Sequence, residues 1–332
     1  MSKEPIYVDF SLPLAELLRK GTAVAHEEAA KSQGAAWMVR GELDREEYIR
    51  FLMMLWHVYD TLERGLERHA SHPVLAFTYN PALLSRAPAL SADIAYFLQT
   101  NEADWQNHPM HMELLSNPPP VLSRYLDRLN TIASSEDPST LLSHAYVRYL
   151  GDLSGGQVIR SRVSKAYGLE GGSGVSFFEF KPLGGSGTAT IGDMKKIKEW
   201  YRENMNSAAG DDQELKADIV EEALIVFELN GELFAALRPP SSASLESSVL
   251  SLPPLGDPVT PIDGSFNKLS GGGESTVLYE EKKPAEKLYS VSAVIAVVAA
   301  MSLAHFVLVT GGFTGDRGMA KLEALRRWLF TH

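Results

Sequence analysis

From about residue 10 to residue 238 the chain is written almost entirely in the helical period. Apolar residues recur at three- and four-residue spacing in segment after segment, and no sustained two-residue alternation marks a half-buried strand. Within 45–69, Phe51, Leu52, Leu55, Val58, Tyr59 and Leu62 repeat at that spacing. The same pattern predicts helices over 14–30, 92–98, 121–132, 140–167, 191–204 and 213–237. Such segments bury their apolar faces against one another, so the expected fold class is all-α, a single multi-helix domain over 1–238. Two Gly-rich stretches, 170–174 and 184–187, bracket a short aromatic piece from Phe177 to Phe180.

Past this domain the texture changes. Ser, Pro and Gly dominate 239–287, which reads as a disordered linker. Residues 288–313 are apolar or small, with Tyr289, His305 and a few Ser and Thr as exceptions. At 1.5 Å per residue this run exceeds the ~30 Å of bilayer hydrocarbon, so a transmembrane helix is expected there. The last segment, 314–332, mixes Lys321, Arg326 and Arg327 with Leu322, Leu325, Trp328 and Leu329, a short basic amphipathic tail suited to a lipid surface.

Composition narrows the chemistry. The chain has 332 residues and no cysteine, which excludes a disulfide framework and any thiolate ligand to a metal. A formal net charge of −11 argues against nucleic acid as a partner. The N-terminus shows no apolar core of signal-peptide length.

One predicted helix breaks a rule. The pattern over 140–167 contains Gly151, Gly155 and Gly156, and each interior glycine costs roughly 1 kcal/mol against alanine. A bend, or the close approach of a large flat ligand, would justify that bare backbone. Arg148 and Asp152, four apart on this helix, can pair or share waters.

The full string Tyr146-Val-Arg-Tyr-Leu-Gly-Asp-Leu-Ser-Gly-Gly-Gln157 resembles the distal-helix signature of the heme oxygenases. It departs from that signature at Val147, where Thr is common. The resemblance runs from about Leu14 to Leu237 and is strongest to the membrane-anchored eukaryotic members, the fungal type included. It implies an all-α fold that clamps heme between a proximal and a distal helix. It also implies a reaction in which heme is both substrate and cofactor, cleaved by dioxygen to biliverdin, carbon monoxide and ferrous iron. The electrons come from NADPH through a diflavin reductase.

The resemblance also assigns residues. Without cysteine, heme iron needs an imidazole, phenolate or thioether. Of the nine histidines, His26 in Val24-Ala-His26 aligns with the family's proximal ligand to the metal. His69 and His72 flank a polar turn, while His108 and His111 fall in a stretch read as loop. Arg19, seven residues before His26, lies two helical turns or about 10 Å away on an unbroken helix, placed for a heme propionate. Lys198 and Arg202 match the family's other propionate-binding positions. Tyr146 is assigned to the heme-binding set, where it helps fix the distal helix, and Phe227 and Phe234 to the pocket wall. Asp152 matches the residue that orders distal waters for proton delivery, with Arg148, Tyr59 and Asn230 as its network. Gly151 and Gly155 would press their backbone to the porphyrin. Two departures stand out: Ala30 replaces a carboxylate that often supports the proximal imidazole, and Ala23 replaces a propionate contact.

Arg160, Arg162 and Lys165 are candidates for docking the acidic reductase. The resemblance and the need for NADPH point to a cytosolic catalytic domain, tail-anchored in the endoplasmic reticulum membrane and in contact with its lipid. A membrane-tethered heme sensor or carrier without turnover, and a helical interaction module without heme, are the rival functions.

Overall fold

The structure, a computed structural model, describes residues 9–241. The expected membrane span and basic tail, and all but the first three residues of the expected linker, lie outside the described residues. Among the described residues there are helices and no strands.

The first three helices are short: α1 (Leu14–Gly21), α2 (Ala23–Ala30) and α3 (Gln33–Arg40). The single helix expected over 14–30 is therefore two. Thr22 (φ −103°, ψ 4°) leaves the helical region, and its hydroxyl donates to the Leu18 carbonyl at 2.7 Å. Gly21 explains why the break is here. A Cβ at that position would lie 3.0 Å from Val220, so the bare backbone lets a later helix come close. The α3 segment has too few periodic apolar residues to be seen in the sequence. It is held by Gly34, where a Cβ would meet the Phe234 carbonyl oxygen at 2.0 Å.

Helix α4 (Arg45–Arg68) is the central element, with its side chains buried at nearly every turn from Tyr48 to Leu66. It is followed by the one-turn α5 (Pro81–Leu84), then α6 (Ala87–Leu98), α7 (Pro109–Ser116) and α8 (Pro120–Ser134). α6 starts five residues before the expected 92–98, because Pro88 suits a first helical turn. Its free N–H groups are also received by the Glu63 carboxylate, at 2.5 Å from Arg86 N. His111 is not in a loop. It lies in α7, buried, and its Nε2 is 2.9 Å from His57 Nε2.

The remaining helices are α9 (Leu141–Asp152), α10 (Gly155–Ala166), α11 (Ile191–Ala209) and α12 (Gln213–Ala235). The helix expected over 140–167 is interrupted at Ser154 (φ −122°, ψ −92°). The strain expected from interior glycines is thus relieved, since Gly155 and Gly156 open a new helix. α4 packs on α6, α8 and α9, while α12 packs on α9, α2 and α1. One core runs between these two long helices. Fully burying each large apolar side chain in it contributes about 1.5–3 kcal/mol.

Candidate functional site

The site forms where α9 passes between α4 and α12. Three helices each aim a polar side chain into an otherwise apolar space. The Tyr59 hydroxyl of α4 donates to the Asp152 carboxylate at the end of α9. It also accepts from Arg148 Nε at 3.1 Å. Arg148 Nη1 donates to Asn230 Oδ1 of α12 at 2.8 Å, and the guanidinium lies 4.8 Å from the centre of the Tyr59 ring. The expected quartet is therefore together. Arg148 and Asp152 do not meet as a surface ion pair, because Tyr59 stands between them.

This arrangement controls ionisation. Burial pushes the Asp152 carboxyl up to about 6, against the opposing charge of Arg148, the Tyr59 hydrogen bond and Arg86. Burial also holds the Tyr59 hydroxyl well above its usual range. Burial disfavours the Arg148 cation, but Tyr59 and Asp152 beside it more than compensate and raise its pKa. At neutral pH the cluster contains a fixed cation and one carboxyl poised near protonation, which suits proton handling.

Gly151 lies on the exposed side of the same helix end, and a Cβ there would meet nothing within 4 Å. Its surroundings are open, as a flat ligand would require. Gly155 differs: it is buried at the first position of α10, beyond the break. Gly156 packs 3.4 Å from Phe178 at its would-be Cβ.

His26 is half-buried on α2, with its ring 5.7 Å from Phe227 of α12 in an edge-to-face arrangement. Phe234, one helical stretch further on α12, stacks with Phe51 at 5.7 Å. The expected run of Arg19 and His26 along one continuous helix does not exist, since Thr22 separates their helices. Arg19 reaches the site by another route. Burial raises the Tyr146 pKa while the positive charges of Arg202 and Arg19 nearby oppose it, so both cations stand near this tyrosine. Lys198 Nζ donates to Ser154 Oγ at 3.1 Å, beside the break between α9 and α10. Its pKa is lowered by burial and then by Arg202. Lys20, Lys195 and Lys196 have carboxylate partners in Glu16, Glu199 and Asp193. Among the described residues, Arg19, Lys198 and Arg202 form no such pair. Three cations without a direct carboxylate partner, Arg19 and Arg202 near Tyr146 and Lys198 at Ser154, suit a ligand that carries its own carboxylates.

The other sequence expectations fare unevenly. Arg160 is bonded to Glu179, so it is not a free docking cation, while Arg162 and Lys165 are exposed. Ala30 is buried and Ala23 exposed. Glu27, one residue after His26, pairs with Lys31. Tyr125 of α8 was missed: its hydroxyl donates to Asn230 Oδ1 at 3.5 Å. A buried tyrosine on a periodic helix carries no sequence signal that distinguishes it from ordinary core. Among the described residues no group of three or more His, Asp or Glu could hold a bare metal ion.

Comparisons with known proteins identify the family and the fold. A family model described as "Heme oxygenase" matches residues 12–236. Heme oxygenase 2 of Synechocystis is 36% identical over 225 residues, covering 68% of this chain and 83% of that one. Human heme oxygenase 1 is 34% identical over 226 residues, with 68% and 72% covered. The crystal structure of the Synechocystis heme oxygenase-2 with heme and NO superposes with a TM-score of 0.59 at 35% identity, covering 68% of this chain and 85% of that chain. A heme oxygenase structure from Leptospira interrogans gives 0.58 at 34% identity, covering 68% of this chain and all of the other.

Proposed function

The chain belongs to the heme oxygenase family, and on that premise we propose that it cleaves heme to biliverdin, carbon monoxide and ferrous iron with dioxygen and NADPH-derived electrons. The observation that carries this reading is the Tyr59–Asp152 contact, linked through Arg148 to Asn230 and set one residue from the open face at Gly151.

Bound heme supplies the redox centre and is itself the molecule oxidised. The chain's residues hold it and manage protons. His26 would hold the heme iron through a ring nitrogen, with Phe227 packed edge-to-face against its ring. Arg19, Lys198 and Arg202 would receive the propionates. Tyr146, close to two of these cations, anchors the distal helix at the same edge. Phe227 and Phe234 wall the pocket, with Phe234 backed by Phe51. The bare Gly151 backbone lets the macrocycle approach α9, and Gly155 starts α10 without crowding the turn. Asp152 Oδ2 accepts from Tyr59, which leaves Oδ1 to bind a distal water or hold a proton. Arg148 and Asn230 keep Tyr59 and Asp152 in position and themselves stay charged or neutral throughout.

The reductase is a separate diflavin protein, met by a basic surface that includes Arg162 and Lys165. We place the domain on the cytosolic face of the endoplasmic reticulum membrane, held by a helix over 288–313 in contact with lipid.

The test is single. Purified protein is mixed with stoichiometric heme, NADPH and a diflavin reductase, and its visible spectrum is followed under air. Loss of the Soret band with appearance of biliverdin and carbon monoxide is expected. His26→Ala is expected to abolish this turnover, and Asp152→Ala to bind heme yet divert it toward peroxidase-like oxidation. A Soret band that persists under continued electron supply would assign a sensor or carrier instead.

A further inference from the structure

A cavity of about 460 Å³ lies behind the distal network and is used by none of the chemistry above. That volume is within the range of small-molecule sites. Its wall includes one stripe of α4, Trp56, Asp60, Glu63 and Glu67, spaced four, three and four residues apart so that all share a face. Leu84, Ala145, Tyr149 and Tyr201 are buried and form the floor, whereas Arg64, Glu67, Pro81 and Pro88 are exposed and form a rim. The cavity is thus a funnel that opens to solvent. Neither Asp152 nor His26 lines it. Tyr149 connects the two regions, since it lines the cavity and its ring is 6.2 Å from Tyr59.

The charge of the wall selects the ligand. Three carboxylates, Asp60, Glu63 and Glu67, face one guanidinium, Arg64, which is already bound to Asp60 at 2.8 Å. No lysine lines the space. Glu63 is fixed in place by the Arg86 and Ala87 N–H groups, so it cannot swing out to water. An anion here would be repelled, and a neutral apolar molecule would strip water from carboxylates without replacing it. A cation would compensate them, and Trp56, Tyr79 and Tyr149, which line the same space, are the residue types whose rings attract positive charge. Burial pushes the Glu63 carboxyl up to about 7 and raises that of Asp60, against the opposing charges of Arg86 and Arg64.

We propose that this cavity is a second ligand site, built for a small organic cation whose ammonium head is received by Asp60, Glu63 and Glu67 and whose apolar body packs on Trp56, Leu84 and Tyr149. Its position behind the distal helix, in contact with Tyr149, makes it separate from the pocket at His26.

The site is tested on the heme-free full chain by calorimetric titration with phenethylamine, using 3-phenylpropionate as an anion of similar shape. Because no heme is present, the result is independent of the proposed heme reaction. The amine is expected to bind at least about tenfold more tightly than the anion, a difference of about 1.4 kcal/mol. The double variant Asp60→Asn, Glu67→Gln is expected to weaken amine binding by a similar factor. Both positions reach solvent and cap no helix, so the fold is expected to be kept, with circular dichroism as the check. Trp56→Phe is expected to remove the amine-dependent change in tryptophan fluorescence. Absence of binding at millimolar amine would mean that water alone fills the cavity and would overturn the proposal. Equal binding of amine and anion, or unchanged amine affinity in the double variant, would overturn it as well.

Discussion

Asp152 and Glu222 are both buried carboxylates, 8% and 3% exposed, on the mutually packed helices α9 and α12, yet they ionise in opposite senses. Burial raises both. At Asp152 it wins, because the Arg148 charge acts without a direct bond to the carboxylate and the one side-chain donor on it is the neutral Tyr59 hydroxyl, and the carboxyl stands at about 6. At Glu222 burial loses. His144 Nε2 donates to Oε1 at 2.9 Å, Arg128 Nε donates to the same oxygen at 3.0 Å, and Arg128 also bonds Oε2. These direct contacts hold the carboxyl at about 2. Burial disfavours the charged form of His144, so that imidazole is a neutral donor. Depth in the protein therefore does not decide a carboxylate's role. The number of charge-assisted bonds on its oxygens does. Glu222 is a permanent anion that ties α8, α9 and α12 together. Asp152 is kept exchangeable.

The contrast can be broken most forcefully at Glu222. Glu222→Ala leaves Arg128 and His144 without their acceptor, and breaking a buried ion pair costs about 3–5 kcal/mol. We expect about 3 kcal/mol in urea denaturation at pH 7, since Arg128 retains access to water. A loss no larger than that of an ordinary surface change, about 0.5 kcal/mol, would remove Glu222 from the structural side of the comparison. Its folded pKa lies below the ordinary 4.5, so its stabilisation is complete above 4.5 and is lost as pH falls toward 2.

Asp152 predicts the opposite slope. Its folded pKa of about 6 lies above the ordinary 3.8, so the folded state binds more protons between these values. Stability of the heme-free protein should fall as pH rises through that window, by about 3 kcal/mol for a two-unit shift. Asp152→Asn is expected to remove this slope and to raise the melting temperature at pH 7. A variant with the parental pH profile would show that Asp152 is not strained by burial.

The smallest effect is expected at Tyr125, which touches both regions. Its ring is 5.7 Å from His144 and its hydroxyl donates to Asn230. Tyr125→Phe removes one long hydrogen bond and should cost about 0.5–1 kcal/mol by denaturation. The Asp152 slope should be unchanged. A shift of that slope by as much as one pH unit would mean that the two regions titrate as one network.

The long helices were legible because their apolar residues repeat at the helical period over many turns, as in α4 and α12. The site's chemical cast was legible through one motif. Tyr146, Arg148, Gly151 and Asp152 come from consecutive turns of α9, so local sequence keeps them together, and Tyr59 and Asn230 were found where the resemblance put them. The bend in the 140–167 segment was legible from its glycines, though its place at Ser154 was not. The break at Thr22 gave no such signal, and Gly21 beside it is met by Val220 from a distant helix. Gly34 was equally silent, because a glycine in sequence does not say that a carbonyl 200 residues later will occupy its Cβ position. The Arg19–His26 spacing misled for the same reason, since a seven-residue separation predicts a distance only along an unbroken helix.

By itself, then, the sequence determined the helical class, the absence of thiol chemistry and the membership of the distal motif, since all three depend on residue type and on spacing within a few turns. Tertiary structure alone decided which carboxylate is exchangeable. In sequence Asp152 has the cation Arg148 four residues away while Glu222 has the anions Asp218 and Glu221 nearby, which would favour ionisation of Asp152 over Glu222, the reverse of what the fold does. Their difference arises from partners on other helices, a phenol on α4 for one, and an imidazole on α9 with a guanidinium on α8 for the other. Electrostatic interaction depends on distance in space and on the water excluded from the path, and only the packing of α4, α8, α9 and α12 sets either.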